Sequence, residues 1–270
     1  MKSTHGLERI TLKSRNDWVL QHLKRYNFAC KFVKNQVVLD IACGIGYGSD
    51  ILLRKGKANK VFGADISQEA IDYCNKNYSK YGSNFQVVDA TNIKFPENFF
   101  ETVVSFETIE HINNYEKYLS EIHRVLKRKG TYLLSTPNKN FDKQLPIPSF
   151  HVKEFSLDEL KFYLEKHNFH IVKILGLNFC NKILLNKNLI IKRRQGIWYK
   201  LTKFILYKIP IKFLYVRNKD RYWKLFRNFI ENKIFKIPSF EDTLPKTQDD
   251  IILDNNTKKA KSFLIICKKN

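Results

Sequence analysis

The chain has 270 residues, of which 43% are hydrophobic and 14% aromatic, so it is long and apolar enough to bury a substantial core. This composition excludes a chain that is disordered throughout, and no apolar run approaches the roughly 18 residues of a membrane-spanning helix. The net charge of +22 favours an anionic partner, although an AT-rich genome also enriches lysine without any binding purpose. The start of the chain lacks an apolar signal segment, and the five scattered cysteines suit a reducing compartment, so we expect a cytoplasmic protein.

Strand-like and helix-like segments alternate along most of the chain, after an amphipathic helix predicted over residues 15–34. This alternation predicts parallel βαβ units and an open, doubly wound α/β sheet. Ser67 is expected to cap one helix, and Ser156 with Glu159 forms a capping box at another. The predicted strands are 37–44, 60–67, 85–90, 101–107, 131–138 and 170–177, and the predicted helices are 47–56, 68–81, 114–130 and 156–168.

The last part of the chain divides into a basic segment and one more strand. Residues 182–240 contain 16 Lys/Arg and two acids, interleaved with aromatic residues and with two stretches of helical apolar spacing. The sequence SFLIICKK, 262–269, predicts a final strand that lies antiparallel beside the sixth. We therefore predict a main domain of residues 1–179 and 262–270 and a basic, aromatic-rich helical insert of residues 180–261. The insert would dock on anionic lipid, bind RNA or cap the substrate with its aromatics packed inward, and these alternatives stay open.

A glycine-rich turn, DIACGIGYGS, follows the first predicted strand, where open α/β sheets bind nucleotide-like ligands. Gly44, Gly46 and Gly48 lack side chains, so the backbone can approach a ligand closely. Their GxGxG spacing departs from the GxGxxG pattern of pyrophosphate-binding turns, which disfavours a dinucleotide enzyme.

Carboxylates stand at three successive predicted strands: Asp40, Asp65 and Asp89. Asp65 lies 21 residues after Gly44, where a carboxylate reaches two ribose hydroxyls. Asp89 is suited to accept a hydrogen bond from an adenine amino group, and Asp40 to hold the turn's amides or meet a cationic group. Each carboxylate alone is equally typical of a solvated strand end or a helix cap, but the three together favour a nucleoside ligand.

As a set, these segments resemble the class I S-adenosylmethionine-dependent methyltransferases. VVLDIACGIGYGS resembles their first motif, VFGADIS their second, and EIHRVLKRKGTYLLSTPN their fifth-strand unit. VVDATNIKFPENFFETVVSFETIEHI resembles their adenine region and the segment after the fourth strand. The resemblance covers about residues 20–178 and 262–269. It implies S-adenosylmethionine as cofactor and a Rossmann-like, mostly parallel seven-stranded sheet with an antiparallel last strand.

The resemblance also implies how the cofactor is held. The glycine turn would contact its methionine part, and Asp65 its ribose. Ile66, Asp89 and Ala90 would meet its adenine, and Phe106 and Glu107 would face its methionyl end. His22, Arg25 and Tyr26 in the first helix would close over it, unless that helix is a plain amphipathic one. The predicted cofactor-binding residues are Asp40, Ala42, Cys43, Gly44, Gly46, Asp65, Ile66, Asp89, Ala90, Phe106 and Glu107.

The segment SFETIEHI, residues 105–112, carries the candidate catalytic groups. Glu107, Glu110 and His111 stand at i, i+3 and i+4, positions that share one face of a helical turn. Because the methyl donor is already activated, the protein mainly aligns an acceptor, and an oxygen acceptor must also lose a proton. We predict His111 and Glu110 as catalytic, with the imidazole as base. No D/N-P-P-Y-like tetrapeptide follows the fourth strand, which favours oxygen over nucleobase nitrogen.

A metal site is the alternative interpretation of the same residues. The pattern ExxEH resembles the site of small-RNA 3′-terminal 2′-O-methyltransferases and a motif of ubiquinone-pathway O-methyltransferases, and His151 in PSFHVKEF would complete the set. Mixed carboxylate and imidazole ligands suit Mg²⁺, Mn²⁺ or Fe²⁺. We assign no metal ligand, and whether Glu107, Glu110, His111 and His151 bind a cation stays open.

The methyl acceptor is indicated only by resemblance. The combination RYNFA, ACGIGYGS, SFETIEHI, STPNK and FHVKEF resembles bacterial methyltransferases associated with surface-glycan assembly, which implies O-methylation of a sugar or other small hydroxyl, free or carrier-linked. One alternative is a metal-dependent RNA 2′-O-methyltransferase. Nucleic acid is the partner in that case and is less favoured than a small molecule. The other is a non-catalytic cofactor-fold protein that docks to a partner or to the inner face of an anionic membrane.

Overall fold

The computed structural model describes residues 17–141, 150–179, 251–257 and 260–270. The chain divides into two compact units, residues 1–178 with 251–270, and residues 179–250. The second unit lies outside the described residues except for Phe179, and so does most of the predicted basic insert, whose helical character stays a prediction. In the described part of the chain, no helix combines the length and apolarity that crossing a membrane requires.

An eight-stranded sheet forms the centre of the first unit, in the order β3-β2-β1-β4-β5-β8-β6-β7. Neighbours from β3 to β5 pair in parallel, and β8 pairs antiparallel with both β5 and β6. The strands are β1 Val37–Ile41, β2 Lys60–Asp65, β3 Asn84–Val87, β4 Phe100–Phe106, β5 Leu126–Pro137, β6 Phe169–Phe179, β7 Ile251–Asp254 and β8 Ser262–Lys269. The helices are α1 Asp17–Ala29, α2 Tyr47–Arg54, α3 Gln68–Tyr78, α4 Tyr115–Val125 and α5 Leu157–Lys166. The predicted α/β sheet with an antiparallel last strand is confirmed.

Alternation along the strands explains why helices cover both faces of the sheet. Val38 and Val104 face the cluster formed with α1 and α2, whereas their neighbours Leu39 and Val103 face the cluster formed with α4 and α5. Strands buried on both faces are expected to be mostly apolar, as most of the predicted runs are. The predicted helix caps are also confirmed, since the Ser67 side chain accepts from the Ala70 amide and Ser156 forms a capping box.

The predicted strand count and the end of one predicted helix differ from the structure. Among the described residues the sheet has eight strands rather than seven, because Ile251–Asp254, inside the predicted insert, joins the sheet as β7 beside β6. Four residues are too few for a period to distinguish a strand from a helix turn. The helix predicted over 114–130 ends at Val125, and Leu126 begins β5. There Lys269 Nζ donates to the carbonyl oxygens of His123 and Leu126, a contact from the far end of the chain.

Candidate active site

The glycine turn leaves open space at the carboxyl end of β1. Gly44 has a φ of +56°, and a Cβ built there meets nothing within 4 Å among the described residues. Gly46, with a φ of +80°, has no such room, because a Cβ would lie 2.7 Å from Cys74 Sγ. Ala42 also has a positive φ, 59°, and Cys43 is buried beside Cys74. The turn thus combines a left-handed backbone with an uncovered surface at Gly44.

Asp40 lies in the core rather than at the surface of the turn. Its carboxylate accepts from Ser49 Oγ at 2.6 Å and from the Tyr26 hydroxyl at 3.1 Å. The Tyr26 ring occupies the space where a Cβ on Gly48 would stand, only 2.0 Å from the nearest ring atom. Burial raises the pKa of Asp40 to about 7. Its described hydrogen bonds therefore go to two hydroxyls, and not to the amides of the turn.

Asp65, at the end of β2, connects the glycine turn to the start of α3. One carboxylate oxygen accepts from the Gly44 amide and the other from the Ser67 amide, both at 2.9 Å. Each oxygen has a second lone pair and so retains capacity for a ribose hydroxyl. The Asp65 carboxylate therefore fixes the glycine turn and remains able to accept a hydrogen bond from a ribose hydroxyl.

Apolar side chains are exposed next to Asp65. Ile66 is 67% exposed and Val87, which ends β3, is 43% exposed, so both offer a face to a flat ring. Asp89 is exposed, and its Oδ1 accepts from the Thr91 amide and hydroxyl at 2.7 and 2.8 Å, while Ala90 is half-buried. The described contacts of Asp89 leave its Oδ2 for another donor. These residues have the chemistry that an adenosine requires.

Replacing Asp65 by alanine is expected to weaken the binding of S-adenosylmethionine at least tenfold, which corresponds to about 1.4 kcal/mol. The change removes the ribose acceptor and releases the Gly44 and Ser67 amides. Isothermal calorimetry measures the loss, with Asp72→Ala as the matched control, because Asp72 is an exposed carboxylate on the adjoining α3 that contacts Gln68. Equal affinities of the wild type and Asp65→Ala would contradict the assignment.

Arg25, on α1, forms a buried ion pair at the end of β4. Its guanidinium lies 3.1 Å from Glu107 Oε1 and donates to Ser262 Oγ at 2.7 Å, while its Nε has no hydrogen-bond partner within the described ranges. Glu107 adopts a φ of +52°, and its amide donates to the Ser135 carbonyl at 2.9 Å. Such a backbone is costly for a residue other than glycine and persists only where its surroundings hold it, often at a functional site.

Phe106 precedes this ion pair, and its ring is buried. It packs against the Tyr26 ring with 5.1 Å between the centroids. Phe106 is only 4% exposed, so its side chain is part of the core under α1. Of the two residues predicted to face the methionyl end, Glu107 carries the polar group, and Phe106 supports α1.

Glu110 lies in the single 3-10 turn Ile109–His111 that follows β4. Its Oε2 accepts from Thr136 Oγ1 at 2.9 Å, whereas its buried Oε1 has no hydrogen-bond partner among the residues that the structure describes. Burial and the negative charge of Glu107 raise the pKa of Glu110 well above its usual range. The protonated form of this carboxyl is therefore favoured, and its Oε1 faces no donor among the described residues.

Two imidazoles lie beside this oxygen. His111 Nδ1 is 3.0 Å from the Phe150 carbonyl, and His151 Nδ1 is 2.8 Å from Glu154 Oε1. Both partners only accept, so each neutral ring carries its proton on Nδ1 and has its lone pair on Nε2. Potential ligand atoms of Glu110, His111 and His151 lie within 4.8 Å of one another, with His111 Nε2 4.0 Å from Glu110 Oε1. The structure thus brings His151 to the predicted pair, whereas Glu107 pairs with Arg25.

Sequence reasoning missed the contacts that hold these groups. The Arg25–Glu107 pair joins residues 82 positions apart, and the Phe150 carbonyl has no side-chain signal at all. The i, i+3, i+4 spacing assumed a full helical turn, but the 3-10 turn ends at His111 and Ile112 is extended. β4 and β5 are parallel neighbours, so the segments that follow them begin side by side. This proximity is the one signal that could have predicted the His111–Phe150 contact.

Comparisons with known proteins show what this arrangement is similar to. Residues 39–134 match the model of a methyltransferase domain family. A probable S-adenosylmethionine-dependent methyltransferase of Mycolicibacterium smegmatis is 28% identical over 168 residues, which are 61% of this chain and 64% of that relative. Residues 39–134 therefore carry a methyltransferase domain, and S-adenosylmethionine is its cofactor. The residues that form the open cradle at Gly44, with Asp65 and the exposed Ile66 beside it, fit this cofactor.

Two further similarities support this methyltransferase domain. A mitochondrial ubiquinone biosynthesis O-methyltransferase of Dictyostelium discoideum is 27% identical over 211 residues, 66% of this chain and 64% of that relative. The crystal structure of a SAM dependent methyltransferase from Archaeoglobus fulgidus superposes with a TM-score of 0.55 at 23% identity and covers 94% of both chains, which shows a shared fold. The matched part of the chain spans less than two thirds of the length of these two curated relatives.

Proposed function

We propose that this protein transfers a methyl group from S-adenosylmethionine to a hydroxyl of a sugar or another small molecule, free or carrier-linked. The cofactor supplies a methyl group already activated on a sulfonium. The observation that carries the proposal is the His111 imidazole after β4, whose Nδ1 lies 3.0 Å from the Phe150 carbonyl, a contact that places the lone pair of the neutral ring on Nε2. A positioned base of this kind assists a hydroxyl acceptor, which must lose its proton as the methyl group is transferred.

The chain's own residues divide the work in this proposal. His111 Nε2 takes the acceptor's proton, and the Glu110 carboxyl, whose Oε1 lies 4.0 Å from it, belongs to the acceptor side of the site. Arg25, from α1, pairs with Glu107 at the end of β4. The relative from Dictyostelium discoideum is named an O-methyltransferase, which supports oxygen as the acceptor atom. The surface-glycan resemblance supports a sugar, and a basic insert that docks on an anionic membrane belongs to the same proposal.

The decisive experiment follows a labelled methyl group. Tritiated S-adenosylmethionine is incubated with the protein and, in parallel, with a surface-glycan extract, a lipid extract and total RNA. Label that enters the glycan fraction as a base-stable methyl ether supports the proposal. Label in RNA alone would redirect it to the nucleic-acid alternative. If calorimetry detects no binding of the cofactor, both enzyme interpretations are excluded, and the non-catalytic docking protein is the interpretation that remains.

A metal-assisted reaction is a second candidate. Its support is the cluster of Glu110, His111 and His151, whose potential ligand atoms lie within 4.8 Å of one another and in which the buried Glu110 Oε1 has no hydrogen-bond partner among the described residues. The set of one carboxylate and two imidazoles suits Mn²⁺ or Fe²⁺. These residues would hold the ion, and a cation there would polarise a hydroxyl of the acceptor, as in the RNA 2′-O-methyltransferase alternative.

Chelation distinguishes the two candidates. If His111 acts as a base without a metal, methyl transfer is expected to continue within a factor of two after incubation with EDTA and gel filtration. If the cluster holds a cation, activity falls and returns on addition of Mn²⁺. His151→Ala is the matched variant, because it removes one of the three ligand groups. A metal requirement that survives this substitution would contradict the assigned ligands.

A further inference from the structure

We propose that Lys153 is a positioning residue for the two histidines of the site, an inference that rests on the proposed function. Lys153 lies two residues after His151, on the segment 150–155. Its ammonium is 4.8 Å from the centroid of the Tyr115 ring, 4.9 Å from that of Phe155 and 5.0 Å from that of Tyr163. Three rings around one cation form an aromatic cage, the arrangement by which proteins hold ammonium groups.

The cage is itself well ordered by contacts between its walls. The Tyr115 and Tyr163 rings meet edge to face with centroids 4.9 Å apart, and the Tyr115 hydroxyl donates to the Tyr163 hydroxyl at 3.1 Å. Phe155 is fully buried and packs against Tyr115 with 5.2 Å between centroids. The Lys153 ammonium also donates to the Tyr115 hydroxyl at 3.4 Å and lies 3.8 Å from Glu159 Oε1. Lys153 thereby connects α4, α5 and the segment 150–155.

This connection bears on the site because it joins both histidine-bearing segments. Tyr115 follows His111 by four residues, and Lys153 follows His151 by two. Between cage and histidines, the amides of Val152 and Lys153 both donate to the Glu110 carbonyl, at 2.7 and 3.1 Å. The same segment supplies the Phe150 carbonyl that holds His111 Nδ1. Release of Lys153 would loosen one end of the segment that fixes the His111 tautomer and the approach of His151.

Substitutions at Lys153 separate this function from simple stabilisation. Lys153→Met keeps an apolar stem and removes the cation, whereas Lys153→Arg keeps a cation that can lie against the rings. We expect Lys153→Met to lower kcat about tenfold with little change in the affinity for S-adenosylmethionine. Lys153→Arg is expected to keep most of the wild-type kcat. Lys139→Met is the control, because Lys139 also pairs with Glu159, at 3.6 Å, but does not contact the three rings.

The ¹⁵N chemical shifts of the imidazoles provide a readout that does not depend on catalysis. In the wild type, His111 is expected to give the signature of a ring protonated on Nδ1, and in Lys153→Met that of exchanging tautomers. Unchanged His111 shifts together with an unchanged kcat in Lys153→Met would overturn the inference. If the wild-type protein transfers no methyl group, the proposed function fails, while the ¹⁵N shifts still test what Lys153 does.

Discussion

Replacing His111 by phenylalanine is expected to lower the rate of methyl transfer by about 10²- to 10⁴-fold, the usual contribution of a positioned general base. Phenylalanine keeps a planar ring that can lie against Phe150, whose ring centroid is 5.9 Å from that of His111. It lacks both nitrogens, so the acceptor's proton has no place to go. Because the cofactor contacts assigned above lie at other residues, calorimetry should find its affinity unchanged. The rate is measured with tritiated cofactor at saturating concentration.

His170→Phe is the matched control for this prediction. His170 is exposed near the start of β6, which lies four strands away from β1 in the sheet order. The His170→Phe variant should transfer methyl groups at a rate within a factor of two of the wild type. A His111→Phe rate close to that of the wild type would exclude the imidazole as base. A lost affinity for the cofactor would instead assign His111 to the cofactor side of the site.

Replacing Arg25 by methionine is expected to lower the free energy of unfolding by about 3 kcal/mol. The guanidinium is 2% exposed and lies between Glu107 and Ser262, so its removal leaves the Glu107 carboxylate, 13% exposed, without its cation. Breaking one partner of a buried pair is costly because the remaining charge is poorly solvated. Urea unfolding measures the change in free energy. An m-value equal to that of the wild type shows that both proteins expose the same amount of surface on unfolding.

Lys166→Met provides the matched control, on α5. Lys166 also pairs with an acid, Glu116, but the two side chains are 47% and 41% exposed. An exposed pair contributes about 0–1 kcal/mol, so this variant should unfold nearly as the wild type does. Adding Glu107→Gln to Arg25→Met removes the uncompensated charge and should recover part of the loss. Equal losses for Arg25→Met and Lys166→Met would contradict a buried ion pair.

The fold was predictable because its signals are local. Most strands of the parallel part contain several apolar residues and end near a turn, as Val37–Ile41 does before the glycine turn. The helices carry their own caps at Ser67 and Ser156. β7 was missed because three apolar residues and an aspartate carry no period. The end of α4 was misjudged because Lys269, from the last strand, lies at its carbonyls.

The candidate site was predictable only in part. Asp65 lies against the glycine turn, where its spacing from Gly44 predicted it. Asp40 was expected near the turn's amides, but it is buried with Tyr26 and Ser49, because a carboxylate inside β1 faces the core and needs donors there. The predicted roles of His111 and Glu110 stay predictions. The structure adds partners for them that lie on β5 and on the segment 150–155.

The sequence by itself determined the element order, the glycine turn and the acids at the strand ends, because these depend on residue type and spacing within a few positions. Only the tertiary structure decided which groups meet across the sheet. Arg25 reaches Glu107, and Lys153 enters a cage built from α4, α5 and Phe155. Such contacts follow from strand order and helix packing, which join residues tens of positions apart. No local sequence pattern predicts these contacts, because the secondary-structure preference of a segment does not depend on which distant residue it contacts.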